Sequence, residues 1–508
     1  MKSFGKSRVR DNFNLLNKKS IPVNVYDVSN YNDDTINLFL GEIMMILNNA
    51  NPIEQLLKNC LNDIIQGTQE LDSQSSGLIE TVSQQFANHH YAKPNVSIYD
   101  MPNVMIVGDI HGDSHTMKNI LYHILDSNGG KLGLKYNACF TGDYVDRGVH
   151  SLQCFLIVLC LKLMFPNEII VLRGNHDDIY FWLMSLYRAY IAYEKNSIKH
   201  TNCVTVINLF QNMFKSETLT RGKFETIFSV CAGKIIEMIK VVNENCNQMH
   251  TCNMWNCETH CYTMFGSIYK YSCVNSQPDV IKRKFINTML VLFDAVLSME
   301  VATVININND NYGMKIYCAH GGMPLEFMKY GNKGQIYSAQ DLIDIYNAQP
   351  RLIGCVNSTH LICRTLWLDQ KDGDIIDDKH NDLYEQAPLS QLESPLGRRS
   401  NSLLHEDISM QYVTGNAREQ QDEHQTTRLC IKFGIDLMVR GHEIKYNGFE
   451  FTHARVLTNH SRPTLHENNY NSNGAFCLID REGIEILTIK HGNIKKKDKE
   501  FALWKNIL

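Results

Sequence analysis

Five places in the sequence set a metal-type side chain beside glycine. Asp109 and His111 stand in Gly-Asp-Ile-His-Gly, and Asp143 and Asp146 in Gly-Asp-Tyr-Val-Asp-Arg-Gly over 142–148. Asn175 and His176 stand in Arg-Gly-Asn-His-Asp over 173–177, His320 precedes Gly321-Gly322, and His442 lies in Arg-Gly-His-Glu over 440–443. Carboxylate, imidazole and amide oxygen together suit divalent ions such as Mn, Fe or Zn. A carboxylate shared by two such ions holds them about 3.5–4 Å apart, and the pair acidifies a bridging water and polarises a phosphoryl oxygen. The glycines let the backbone turn sharply and keep side chains clear of the ions. One such cluster is only suggestive, but three extended motifs in order, followed by two more, point to two-metal hydrolysis. The other histidines, His123, His453 and His460 among them, read as helix caps or surface residues.

Each cluster follows a short apolar run. Val104-Met105-Ile106-Val107, Ala138-Cys139-Phe140-Thr141, residues 168–172, Lys315-Ile316-Tyr317-Cys318 and Asp436-Leu437-Met438-Val439 have the character of buried strands. Leu152, Phe155, Leu156, Leu159 and Leu163 form a helix stripe between the second and third runs. Strand, helix, strand, with polar residues after each strand, predicts α/β architecture with the site beyond the carboxyl ends of the strands. Upstream, Ile53, Leu56, Leu57, Cys60, Leu61 and Ile64 share one helical face that opens at Pro52. Leu78, Ile79, Val82 and Phe86 predict a second helix. Alternation near Phe449-Glu450-Phe451 and over 475–489 predicts closing strands.

The 508 residues are 44% hydrophobic and 20% charged, enough for a sizeable core and too long for one domain of ordinary size. A net charge of −5 gives no global basic field for nucleic acid or an anionic membrane. No run is long and apolar enough for a membrane span, and no cleavable secretory signal is apparent. The expected compartment is therefore reducing and cytoplasmic, with the 16 cysteines as thiols or metal ligands, although delivery as an effector stays open. The expected division is a polar arm (1–34), a helical segment (35–100), a catalytic domain (101–194 and 281–490), a cysteine-containing helical insertion (195–280), a polar loop insertion (370–412) and a basic tail (491–508).

With these residues in view, the chain resembles the PPP-type phosphoprotein phosphatases, a branch of the calcineurin-like metallophosphoesterases. Their pattern of GDxHG, GDxVDRG, RGNHE, HGG and a later RxH is met at 108–112, 142–148, 173–176, 320–322 and 440–442. Leu366-Trp367-Leu368-Asp369 is similar to the family's LWSDP segment, and Asn473-Gly474-Ala475 to its closing turn. The resemblance implies a metallophosphoesterase β-sandwich flanked by helices, with the N-terminal helices and the helical insertion as additions. It implies two divalent ions, one held by Asp109, His111 and the bridging Asp143, the other by Asp143, Asn175, His320 and His442. It further implies His176 as general acid, Asp146 as its support, and Arg147 with Asn175 on the substrate side. The implied reaction is direct attack of a dimetal-bound hydroxide on a phosphoprotein or phosphopeptide. Direction toward phosphoserine and phosphothreonine is the family default, with tyrosine or dual activity open, and no regulatory partner is indicated.

The sequence also departs from the pattern. Asp177 stands for the family's Glu, and Leu368-Asp369-Gln370 for its Ser-Asp-Pro. The stretch 408–415, where a second phosphate-binding arginine is expected, has none, which leaves Arg398, Arg399 and Arg462 as candidates. The family's SAPNYC segment, which brings a Tyr near the metals, becomes Asn459-His460-Ser461-Arg462-Pro463. Cys246, Cys252, Cys257, Cys261 and Cys273, with His250 and His260, lie in the insertion without the paired spacing of a zinc site, and thiols in a helical core are the preferred reading. Two alternatives stay open: a small-molecule phosphohydrolase such as a diadenosine tetraphosphate hydrolase, and a catalytically inactive scaffold.

Overall fold

The computed structural model describes residues 12–16, 20–29, 33–68, 75–90, 94–193, 204–210, 212, 220–248, 264–273, 277–308, 313–330, 336–351, 360–370, 420–465 and 471–490. Residues 371–419, most of the Cys246–Cys261 region and the basic tail lie outside them, and with them Arg398, Arg399 and the 408–415 stretch.

Two sheets face one another. The first has seven strands: β1 (Asn12–Asn14), β2 (Ser20–Asp27), β4 (Asn103–Val107), β5 (Ala138–Phe140), β6 (Ile169–Val171), β12 (Gly474–Asp480) and β13 (Ile484–Ile489), in the order β1-β2-β13-β12-β4-β5-β6. The second has six: β3 (Val96–Met101), β7 (Ala302–Asn308), β8 (Gly313–Ala319), β9 (Leu437–Arg440), β10 (Phe449–His453) and β11 (Val456–Asn459), in the order β10-β11-β9-β8-β7-β3.

The continuous apolar runs follow from burial on both faces. In β4, Val104 and Ile106 point into the core between the sheets, where they join Cys139, Ile170, Ile316, Val439 and Leu457. Met105 and Val107 point the other way, toward helices α1 (Asp33–Ile46), α2 (Pro52–Gln66), α3 (Ser75–His90), α4 (Ser114–Ile124) and α5 (Ser151–Met164). On the outer face of the second sheet, Val304, Tyr317, Met438 and Val456 pack on α10 (Ala339–Asn347), α11 (Leu361–Trp367) and α12 (Glu423–Phe433). The result is a β-sandwich between two helical layers, the expected α/β class.

Local signals placed these helices well. Asn51 accepts the Ile53 N–H at the start of α2, Pro52 occupies its first turn, and Gly67 ends it with φ of 69°. Helix α5 has every residue from Ser151 to Lys162 buried, so its leucine stripe is only part of an all-round contact surface. Helices α6 (Ile179–Tyr193), α7 (Arg221–Gln248), α8 (Met264–Ser272) and α9 (Pro278–Ser298) share the core of the first helical layer. There Trp182 meets Phe265, and Phe224 stacks on Phe293 with ring centroids 4.2 Å apart. The described helices of the 195–280 stretch are therefore built into the body of the protein.

Two of the expected segments contribute strands to the sheets. Within residues 1–34, β2 pairs parallel with β13, and β1 pairs with β2. Phe13 is fully buried between the sheets, and Ile21 and Val23 alternate inward. These few apolar positions are too sparse to outweigh the polar composition, but a neighbouring edge strand supplies the pairing. The 35–100 segment likewise ends in a strand, β3, at the edge of the second sheet. Among the described residues no helix is long and apolar enough to cross a membrane, and the described cysteines are free thiols.

His123 and His453 are not surface residues. His123 lies against the Phe476 ring at 5.4 Å, and His453 is fully buried. Burial, helped by the Lys135 ammonium, pushes His123 down to about 4, and burial pushes His453 down to about 4. A depressed imidazole supports the fold above its unfolded value of about 6.5 and loses that support as the pH falls toward 4. Acidifying the EDTA-treated protein from about pH 7 to about pH 5 should therefore cost about 1 kcal/mol or more per histidine, read by denaturant titration. His123→Leu should make this pH dependence shallower, and an unchanged slope would contradict the assignment.

Candidate metal centre

Strands β4, β5 and β6 are parallel neighbours in the first sheet, and β8, β9 and β11 are parallel neighbours in the second. Their carboxyl ends open at one edge of the sandwich. Asp109 and His111 follow β4, Asp143 follows β5, Asn175 and His176 follow β6, His320 follows β8, and His442 follows β9. All six expected metal ligands are brought together with His176 and Asp146, and each of the eight except His442 is buried below a tenth exposure.

The turns that do this are strained. Among the described residues, the non-glycine residues with positive φ are His111 (48°), Asp143 (56°), Asp146 (65°), Arg147 (68°) and His442 (74°). All five are expected site residues. Such backbone costs about 1–3 kcal/mol at each position and persists only where the surroundings enforce it. The enforcement is visible. Ile110 and His111 donate their N–H groups to the Asp143 carbonyl (3.0 and 2.9 Å), and Gly112 donates to the Tyr144 carbonyl (2.8 Å). A side chain at Gly174 would collide with the Asp143 carboxylate, and one at Gly441 with that of Asp109.

Asp143 occupies the centre. Its Oδ1 accepts the His176 N–H at 2.8 Å. Its Oδ2 lies 3.5 Å from His111 Nε2 on one side and 3.3 Å from His320 Nε2 on the other. Donors around one ion at about 2.0–2.2 Å are separated from each other by about 3.0–3.5 Å, so these spacings suit coordination better than direct bonding. Asn175 Oδ1 lies 2.7 Å from His320 Nε2 and 3.0 Å from His442 Nδ1, and the two imidazole nitrogens are 3.1 Å apart.

The imidazole tautomers follow from the far side of each ring. His111 Nδ1 donates to the Val145 carbonyl (2.9 Å), and His320 Nδ1 to the Thr141 carbonyl (3.1 Å). His442 Nε2 faces the Asp369 carboxylate at 3.3 Å. Each ring thus turns a lone pair toward Asp109, Asp143 or Asn175, which also offer only lone pairs there. So many acceptors converging in a buried place fit divalent cations, and the outer carbonyl and carboxylate contacts are those that orient metal-bound imidazoles.

The electrostatics agree. Burial would raise Asp109, but the imidazoles of His460, His111 and His320 outweigh it and hold its carboxyl well below the usual range. Asp143 is likewise held low, by His320 and His176 against its burial. His176 Nδ1 is 3.1 Å from Asp146 Oδ2. Burial pushes His176 down, and burial with the Asp143 charge pushes Asp146 up, so the pair favours sharing one proton. The His176 ring is braced by Phe181 at 4.2 Å, and its carbonyl accepts the Trp182 Nε1–H at 2.7 Å. The Arg147 guanidinium acts on His111, His176 and His460, which places its charge beside the centre. Arg462, one candidate for a second phosphate contact, helps hold the buried Asp113 carboxyl low at the start of α4.

Three contributors were not foreseen in these roles. Asp177, noted only as a replacement for Glu, accepts N–H groups from Asp143 (2.7 Å), Gly174 (2.8 Å) and Tyr144 (3.0 Å), which fastens the second motif to the third. Burial and the Asp143 charge lift its carboxyl to about 7. Asp369, in the LWLD segment, supports His442. His460, expected as a cap or surface residue, is fully buried, with Nε2 3.6 Å from Asp109 Oδ2. The signal available for it was an apolar run, Val456-Leu457-Thr458, ending near a histidine, but without the flanking glycine that marked the other strand ends.

The chain is similar to several known proteins over part of its length. Residues 102–259 match the family model described as calcineurin-like phosphoesterase. The serine/threonine-protein phosphatase 4 catalytic subunit of Saccharomyces cerevisiae is 45% identical over 83 residues, 16% of this chain and 25% of that one. A protein phosphatase 2A catalytic subunit of Dictyostelium discoideum is 29% identical over 188 residues, 36% of this chain and 56% of that one. The chain thus spans between a quarter and just over half of the length of these relatives. A solved Saccharomyces cerevisiae protein serine/threonine phosphatase with similarity to human phosphatase PP5 overlays with a TM-score of 0.45 at 16% identity, covering 85% of this chain and 94% of that one, too loosely to add to the case.

Adding Mn2+ to EDTA-stripped protein should raise its unfolding midpoint by about 3 °C or more, because an ion bound only by the folded state stabilises it. Asp143→Asn should remove most of that shift. A midpoint indifferent to Mn2+ in the parent protein would overturn the metal centre.

Proposed function

We propose that this chain, which carries a calcineurin-like metallophosphoesterase domain of the PPP phosphoprotein phosphatase family, hydrolyses phosphate monoesters on protein side chains. The observation that carries this reading is the convergence of two lone-pair clusters on the shared Asp143 carboxylate, with the His176–Asp146 pair and the Arg147 charge alongside.

Two divalent ions, held by Asp109, His111 and Asp143 and by Asp143, Asn175, His320 and His442, would supply Lewis acidity to activate a water and neutralise phosphoryl charge. The chain's own residues have distinct tasks. Arg147 meets the phosphate oxygens, which its planar guanidinium fits in bidentate fashion. Asn175, beside His320 and His442, would also face the substrate. His176 presents Nε2 to the departing oxygen while Asp146 holds Nδ1, so a proton reaches the leaving alkoxide as the bond breaks. Burial of the pair limits competition from water for that proton.

The name of the Saccharomyces cerevisiae relative, a serine/threonine-protein phosphatase catalytic subunit, favours phosphoserine and phosphothreonine. Phosphotyrosine requires the same ions and the same acid but a longer reach.

The purified chain should release phosphate from p-nitrophenyl phosphate in the presence of Mn2+. Asp143→Asn should abolish turnover, and His176→Ala should lower kcat by about 10²–10⁴-fold while Mn2+ binding is kept. Phosphoserine, phosphothreonine and phosphotyrosine peptides compared by kcat/KM rank the substrates. Turnover of dinucleoside polyphosphates with none of any phosphopeptide would replace the protein-directed reading by a small-molecule one.

A further inference from the structure

We propose that His460 is a metal ligand, which gives the ion at Asp109, His111 and Asp143 a fourth protein donor. The assignment rests on the metal-centre reading above and goes beyond it, since none of the motifs that signal the centre reaches this residue.

His460 follows β11 as His442 follows β9, and the two strands are parallel neighbours. Its Nδ1 donates to the Arg462 carbonyl at 2.9 Å, so Nε2 carries the lone pair. That nitrogen is buried, has no hydrogen-bond partner, and lies 3.6 Å from Asp109 Oδ2. The separation is too long for a hydrogen bond and suits two donors on one ion. A buried lone pair aimed at a carboxylate is unfavourable unless a cation lies between them.

His111 has the same arrangement. Its Nδ1 donates to the Val145 carbonyl, and its buried Nε2 has no hydrogen-bond partner and lies 3.7 Å from the same Asp109 oxygen. The two imidazoles flank Asp109 with ring centroids 6.2 Å apart.

The loop that carries His460 is fastened to the loop that carries Asp109. Arg462 donates its N–H to the Asp109 carbonyl (2.9 Å), and the Gly108 N–H goes to Ser461 Oγ (2.9 Å). The His460 backbone is itself held by Gly448 (2.7 Å) and Ala475 (2.9 Å). A donor set of two imidazoles and two carboxylates shifts preference at this ion toward Zn2+ or Fe over Mg2+, and leaves one position fewer for solvent.

The test is Co2+ binding to the full chain, followed by metal analysis and visible absorption. The parent protein should take up two ions. His460→Ala and His460→Gln should each keep one ion at near-parent affinity and bind the other at least tenfold more weakly, with a changed absorption spectrum. His111→Ala serves as the reference for losing a ligand at the same ion. Circular dichroism of the EDTA-treated variants checks folding, and if His460→Ala does not fold, His460→Gln, which keeps a polar group without the imidazole, decides. Two ions bound at parent affinity with an unchanged spectrum in a folded variant would overturn the assignment. Because binding is read without turnover, a parent protein that binds two ions but hydrolyses no monoester would defeat the phosphatase reading and leave this one standing.

Discussion

The buried carboxylate of Asp143 is the constraint around which the site is organised. Its two oxygens face different groups. One accepts the His176 N–H, and the other stands between His111 and His320, which belong to opposite sheets of the sandwich. A carboxylate in that place is unfavourable unless positive charge surrounds it. The imidazoles around it turn lone pairs inward, so the site is shaped for cations that would supply that charge. Movement of Asp143 would disturb both halves at once.

The fold's contribution is to hold Asp143 where its own backbone would not choose to be. Its φ lies in the left-handed region, as do those of His111, Asp146, Arg147 and His442. Asp177 counters the strain from below by accepting three backbone N–H groups, one of them that of Asp143 itself. From the side, the first motif's N–H groups bond to the Asp143 and Tyr144 carbonyls. The sandwich provides the rigid base, with strand ends from two sheets fixed by a core of alternating inward residues. Helices α7 and α8 pack into the same helical layer as α5 and α6, so the described part of the long stretch between His176 and His320 strengthens the support behind the site.

Much of this was legible in the linear sequence, for a local reason. A strand buried on both faces writes a continuous apolar run, and a sharp turn with a functional side chain calls for glycine beside it, so Val107-Gly108-Asp109 and Phe140-Thr141-Gly142-Asp143 could be located without a structure. The same holds for α2, whose cap, proline and closing glycine are all neighbours in the chain. Less legible were β1 and β2, whose few apolar residues become strands only because β13 offers an edge. His123 and His453 were misplaced for a related reason, since an isolated histidine carries no periodic signal of burial.

By itself, then, the sequence determined the chemical kind of site: which donors are present, that they follow strands, and that a carboxylate–imidazole pair and an arginine accompany them. These properties are written in residue types and short spacings. Tertiary structure decided which nitrogen of each imidazole faces inward, because the carbonyls of Val145, Thr141 and Arg462 and the carboxylate of Asp369 set those tautomers. It also decided that Asp177 is a brace and that His460 belongs beside Asp109. Such roles depend on the pairing of β9 with β11 and on the approach of the two sheets, where Gly108 meets Ser461 across 353 positions, and no local pattern encodes these contacts.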